Sequence, residues 1–218
     1  SRRDTVATVL PGFGSDTPPG FVATKEVYVD WLIAELTRIG EPVDLVGHDW
    51  GANLVQRVVS LRPDLVRTWA CGSGIVDIEY VWHEVAQQWQ TPGVGEMLME
   101  LMTPAATTQM FVASGIPAAE AAAAAGRIDA RMKACILALY RSAVQIGAEW
   151  QPDVERITRP GLIFWGVDDP FGVVRFGERL AVRVRGELVA LAGCGHWWPS
   201  TRPAEVASAL ERFWGAPR

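Results

Sequence analysis

The sequence predicts an α/β protein: a mostly parallel sheet with helices on both faces and a helical cap inserted mid-chain. Three observations predict it. Short β-branched apolar runs alternate with helical patterns at both ends of the chain. The helical stretches are long enough for right-handed crossovers, which force neighbouring strands parallel and cover both faces of the sheet. Between Gly74 and Pro152 the strand signals stop, and only helical patterns remain.

Taken in order, Thr5–Leu10 (TVATVL) reads as a strand ended by Pro11-Gly12. Lys25–Gly40 reads as a helix with Val27, Trp31, Leu32, Leu36 and Ile39 on one face and Gly40 as its stop. Val43–Val46 is a short buried strand, Ala52–Leu61 a helix, and Val66–Cys71 the next strand. Tyr80–Trp89, Gly95–Met102, Ala105–Ala113, Pro117–Gly126 and Arg127–Ile146 read as helical, the Ala-rich run Ala118–Ala125 among them as a surface helix. Gly161–Trp165 is a strand, Phe176–Val184 a helix, Glu187–Leu191 a strand, and Pro203–Trp214 a final amphipathic helix. The expected division is a core of residues 1–75 and 151–218, with a helical lid of residues 76–150. An insertion between two strands of an open parallel sheet lies at the strands' carboxyl ends, where ligands bind.

Composition narrows the function. With 218 residues, one domain with a large insertion is expected, and 49% hydrophobic residues suffice for a sizeable core. The net charge is −5, and lysine occurs only at Lys25 and Lys133, so a nucleic-acid groove is not expected. There is no apolar run of bilayer length, and no charged-then-apolar leader precedes Thr5. Cys71, Cys135 and Cys194 are odd in number and lack CxxC spacing, which suits buried thiols in a reducing compartment better than a disulfide frame or a zinc site. A cytoplasmic protein, monomer or homodimer, without metal or cofactor, is the expectation. Ten tryptophans imply that several line something larger than a plain core.

The sharpest motif is Gly47-His48-Asp49-Trp50-Gly51, between a strand and a helix. This is the G-x-nucleophile-x-G elbow in its required context, with aspartate at its centre. The plain alternative is a turn in which Asp49 caps the helix. Two later segments bear on the choice: Trp165-Gly166-Val167-Asp168-Asp169-Pro170 and Gly193-Cys194-Gly195-His196-Trp197 each follow a late strand. The order nucleophile, acid, histidine is that of α/β-hydrolase sheets.

With these motifs the chain resembles the aspartate-nucleophile branch of the α/β-hydrolase superfamily, which holds epoxide hydrolases, haloalkane dehalogenases and haloacetate dehalogenases. Leu10-Pro11-Gly12-Phe13-Gly14-Ser15-Asp16 is also similar to the loop after the family's fourth strand. The resemblance implies Asp49 as nucleophile, His196 as base and Asp169 as the acid that orients it. Asp169 lies three residues after Gly166, and Pro170 biases it to extended backbone; some relatives instead place the acid where Asp77 is the only nearby carboxylate. An ionised carboxylate displaces a leaving group from sp3 carbon, and the alkyl ester is hydrolysed by water activated at histidine. The implied substrate is a small apolar epoxide, with a haloalkane as the alternative.

Tyr140-Arg141 resembles the family's second proton-donating tyrosine. The first would fall on Gln88, with Tyr80 and His83 as substitutes. Trp50 offers a backbone N–H to an oxyanion and an indole to a halide, for which Trp82 or Trp89 would be the second donor. Trp50 and Asn53 stand where haloacetate dehalogenases carry arginines, which disfavours haloacids. His48, Trp197 and Phe13 complete the expected substrate contacts. If Thr5–Leu10 is the family's fourth strand, the first three strands of the full fold are absent; if it is the third, it sits beside the elbow strand and the Phe13 N–H completes an oxyanion hole. A non-catalytic binding protein on the same scaffold is the competing function.

Overall fold

The computed structural model describes residues 4–215. Helix α1 (Lys25–Ile39) is capped by the Thr24 hydroxyl, which accepts from Val27 N–H, and ends at Gly40 in the left-handed region. Strand β1 (Val43–His48) leads through Asp49 into α2 (Trp50–Leu61), and β2 (Val66–Gly72) follows. Six helices come next: α3 (Glu84–Gln90), α4 (Val94–Leu101), α5 (Pro104–Ala113), α6 (Ala118–Ala125), α7 (Ala130–Ser142) and α8 (Ile146–Val154). The chain then forms β3 (Gly161–Gly166), α9 (Arg175–Val184), β4 (Glu187–Leu191), α10 (Trp198–Thr201) and α11 (Pro203–Gly215).

The four strands lie side by side in chain order, all parallel. Alternate residues of each strand face opposite ways, and the central strands β2 and β3 are apolar on both sides. Trp69, Cys71, Ile163 and Trp165 pack with α1, α2, α8 and α9. Ala70, Leu162 and Phe164 pack instead with Trp198 of α10 and with Val206, Ala209 and Phe213 of α11. Pairing of His48 with Gly72, Gly72 with Phe164, and Gly166 with Leu191 brings the carboxyl ends of all four strands to one edge. The loops after them therefore share one site.

Several expectations need correction. Thr5–Leu10 is not a strand: Val6 and Val9 are exposed and no strand pairs with the segment. β-Branched residues favour extended backbone, but a strand needs a neighbour to satisfy its amides. The contiguous-sheet alternative fails with it, and β1 is an edge strand among the described residues. Instead, Phe13 N–H closes a turn on Leu10 O at 2.9 Å, and the Tyr28 hydroxyl holds Pro11 O at 2.8 Å. Within Tyr80–Trp89 the helix begins only at Glu84, because His83 Nδ1 caps it by accepting from Ala86 N–H. The stretch Arg127–Ile146 is not one helix: α7 fills only its middle, opened by Asp129 accepting from Met132 N–H at 2.7 Å. Its last residue, Ile146, opens α8, which packs Trp150 and Val154 into the main core.

All three cysteines are free and buried. Among the described residues no helix is long and apolar enough to cross a membrane, and no cluster of His, Cys, Asp or Glu is placed to hold a metal ion.

Candidate active site

The elbow is built by close approach. A Cβ on Gly47 would lie 2.3 Å from Gly51 O and 2.7 Å from Val55 Cγ2, so only glycine lets β1 and α2 meet at this angle. A Cβ on Gly51 would meet nothing within 4 Å; Gly51 contributes the backbone that Gly47 makes room for. Between them Asp49 adopts φ 54° and ψ −122°, a region that L-residues rarely occupy. Its side chain makes no capping bond to α2, so the cap alternative fails. The carboxylate stands on the turn, 42% exposed, facing a cavity of about 510 Å³.

His196 follows β4 and is nearly buried. Its Nδ1 lies 3.0 Å from Asp169 Oδ2, and its Nε2 lies 3.9 Å from Asp49 Oδ1. Only a protonated Nδ1 can donate to a carboxylate, which leaves Nε2 of the neutral ring as an acceptor on the cavity side. Burial works against charging this ring, but the bond to Asp169 and the negative charges of Asp49 and Asp169 outweigh it, so the His196 pKa is raised. Asp169 is held below the usual carboxylate range despite its burial: His196 Nδ1 at 3.0 Å and Phe171 N–H at 2.9 Å bond to it, and the nearby Ser73 hydroxyl also favours its charge. Asp168 is exposed, and its backbone N–H donates to Cys194 O. Asp77, the alternative acid, is committed elsewhere. Its buried carboxylate accepts from Arg183 Nη1 at 2.6 Å and Arg179 Nε at 2.8 Å.

The cavity walls are mostly aromatic and aliphatic. Trp50, Tyr140, Trp89, Trp197 and Phe13 all line it. Trp50 stacks on Trp82, with ring centroids 6.0 Å apart, and meets Tyr140 edge-on at 5.3 Å. Its indole Nε1 is buried and makes no well-formed hydrogen bond, with the Tyr140 hydroxyl close enough to interact weakly with it. Burial, with the charge on Asp49, pushes the Tyr140 phenol far above its ordinary pKa, so the hydroxyl keeps its proton as a donor. The far wall is supplied by Leu98, Leu101 and Met102 from α4 and its end, Met110 of α5, and Met132 and Ile136 of α7.

Other expected donors are already engaged. The Tyr80 hydroxyl donates to Phe171 O at 2.9 Å, and Trp82 Nε1 to Ala143 O at 3.1 Å. Phe13 contributes only its ring, since its N–H is held by Leu10 O. His48 does not line the cavity; its ring lies beside that of His196, with Nε2 2.8 Å from the His196 carbonyl. One residue at the site, Ser73, went unplaced by sequence. Ser73 supports Asp169 and accepts from Trp198 Nε1 at 3.1 Å; its place just after β2 was the available signal. His83, one of the expected substitute donors, caps α3 through its Nδ1 and lines the cavity. Asn53, one helical turn after Asp49, lines it with Oδ1 buried and unpartnered.

A family model described as "Alpha/beta hydrolase family" matches residues 1–209. The chain belongs to the alpha/beta hydrolase family. Within the family, solved structures similar to this one include haloalkane dehalogenase DbeA from Bradyrhizobium elkani, at 24% identity and a TM-score of 0.74, covering 95% of this chain and 80% of that one. Another is 2-hydroxy-6-oxo-6-phenylhexa-2,4-dienoate hydrolase from Rhodococcus, at 14% identity and a TM-score of 0.72, covering 93% and 77%. These share the fold. A curated relative, (E)-2-((N-methylformamido)methylene)succinate hydrolase from Acinetobacter baylyi, is 23% identical over 206 residues, 94% of this chain and 77% of its own. An α/β-hydrolase family member with a parallel sheet covered on both faces is thus the plain reading of the chain.

Proposed function

We propose that this alpha/beta hydrolase acts at an sp3 carbon of a small apolar epoxide, with Asp49 as nucleophile, His196 as base and Asp169 as the group that orients it. The carrying observation is one imidazole held between two carboxylates, 3.0 Å from the buried one and 3.9 Å from the one facing an apolar cavity. Asp49 needs no base for the first step, because a carboxylate, unlike a hydroxyl, attacks as the anion with no proton to remove. Its oxygen forms a bond to carbon, the C–O bond of the ring breaks, and the departing oxygen takes the Tyr140 proton. Helices α3–α7 act as the cap that shapes the pocket. Water deprotonated at His196 Nε2 then attacks the ester carbonyl, with Trp50 N–H at the start of α2 facing the developing oxyanion. The tetrahedral intermediate collapses by breaking the acyl C–O bond. The oxygen that Asp49 gave to the substrate leaves with the diol and takes the second water proton. The water oxygen stays in the Asp49 carboxylate, and the proton on His196 passes back to Tyr140.

A second reading has its own support. Trp50 Nε1 is buried beside the cavity without a well-formed hydrogen bond, and an N–H that cannot be transferred suits a halide better than an alkoxide. Haloalkane hydrolysis would use the same ester. A panel of aryl and alkyl epoxides and bromoalkanes, scored for diol and bromide, separates the two. Single turnover in ¹⁸O-labelled water tests both: the label is expected in the Asp49 carboxylate. Label found only in product refutes the nucleophile assignment.

A further inference from the structure

We propose that His48 is a positioning residue that ties the main chain of His196 to the elbow, so that one stretch of backbone sets both the Asp49 and the His196 positions. The inference rests on the proposed function above.

The link is a short one. His48 is the last residue of β1 and the immediate neighbour of Asp49. Its Nε2 lies 2.8 Å from the His196 carbonyl oxygen, across 148 residues of chain. A carbonyl only accepts, so Nε2 must carry the proton. The ring is held from three sides: centroids lie 4.8 Å from His196, 5.7 Å from Trp197 and 5.0 Å from Trp198. Burial and the neighbouring His196 lower its pKa, although Asp49, the His196 carbonyl and Asp169 pull the other way, and the neutral Nε2–H form follows. It has no direct substrate contact to make, because it does not line the cavity.

His196 needs such an anchor. The Asp169 bond fixes the imidazole at Nδ1, but a single bond leaves the ring free to swing about it, carrying Nε2 across the mouth of the site. Fixing the carbonyl of the same residue removes that freedom. Asp49, His48 and the His196 carbonyl form a chain with one non-covalent step, so any shift of the elbow carries the base with it. The 3.9 Å separation of Nε2 from Asp49 Oδ1 is therefore maintained rather than left to a mobile loop.

The two chemical steps separate positioning from folding. Ester formation needs Asp49 alone, whereas ester hydrolysis needs His196. In single turnover His48→Phe is expected to slow hydrolysis by about 10- to 100-fold, the scale for an ångström of misplacement, while ester formation is unchanged and the covalent ester accumulates. Glutamine reaches the same point with an N–H, so His48→Gln is expected to restore most of the hydrolysis rate. Equal slowing of both steps, or no recovery with glutamine, overturns the proposal. Imidazole ¹⁵N NMR on the wild-type protein tests it without turnover: His48 is expected as the neutral Nε2–H tautomer while His196 titrates. A neutral Nδ1–H tautomer at His48 overturns it whatever the activity. If no epoxide or haloalkane is turned over but His48 shows the Nε2–H form, the proposed function fails and the link stands.

Discussion

Replacing Asp169 by asparagine isolates the second half of the reaction. The Asp169 side chain is only 1% exposed and holds His196 Nδ1 at 3.0 Å. At that distance, with an effective dielectric of about 20, the charge attracts an imidazolium by roughly 5 kcal/mol before desolvation is counted. Asparagine keeps the volume and loses the charge. Burial already presses the His196 pKa downward, so without Asp169 the pKa falls, and the neutral ring is free to take the wrong tautomer. Hydrolysis of the Asp49 ester should slow by about 10²–10⁴-fold, with formation nearly unchanged. The expected readout is an enzyme mass increased by one substrate, seen in intact-protein mass spectrometry within a single turnover. The alkaline-going limb of the residual hydrolysis should move to lower pH, because a base with a lower pKa is neutral in more acidic solution. Asp168→Asn, at an exposed side chain, should leave turnover within a factor of about two, as for substitutions worth under ±0.5 kcal/mol. Comparable losses from both, or a large loss only from Asp168→Asn, would refute the assignment.

Two further substitutions probe what holds the site. Gly47→Ala drives a methyl into the Gly51 carbonyl at 2.3 Å, an overpacking worth about 1–3 kcal/mol and, for a chain of this size, about 2–12 °C in Tm; Gly51→Ala has open space and should leave the melting temperature unchanged or slightly raised, so equal losses would contradict the close-approach account. Asp77→Asn removes the nearer of the two carboxylates paired with Arg183, the other being the more exposed Glu155, and should destabilise by about 3 kcal/mol, the low end for breaking a buried pair, in a denaturant titration while the folded fraction keeps its turnover. The Asp77 pKa is lowered: against the opposing effect of burial, bonds to Arg183, Glu79 N–H and Arg179 favour the charged form. The stability it supplies is therefore present above the unfolded carboxylate pKa and lost as pH falls through the folded one, so wild type and variant should converge in acid.

Much of this was legible because the central strands β2 and β3, buried on both faces, read as continuous apolar runs, and glycines mark strand ends at Gly47, Gly72 and Gly166; β1, expected to be buried, is half-buried at the sheet edge with Val46 exposed. Asp49, Asp169 and His196 each stand just past such a run, and the parallel register brings those ends together. Thr5–Leu10 carries the same local signal and fails, since being a strand is a property of a pair. The engaged donors were hidden for a similar reason: the acceptors for Tyr80 and Trp82 are the carbonyls of Phe171 and Ala143, far away in sequence. His48 was read as a substrate contact from its position next to Asp49. Its direction depends on where the β4 loop crosses behind the elbow, which no local pattern records.

The backbone angle at Asp49 has a wider meaning. At φ 54° the chain occupies a region that glycine enters freely and a side chain strains by about 1–3 kcal/mol. The fold would tolerate glycine here and gain by it. On stability alone, position 49 is the wrong place for an aspartate, so a collection of variants screened only for heat resistance should drift toward Asp49→Gly. The same collection screened for catalysis should hold the strained residue, and the opposition of the two screens would measure how much robustness the molecule forgoes to keep a carboxylate upright at its strand's end.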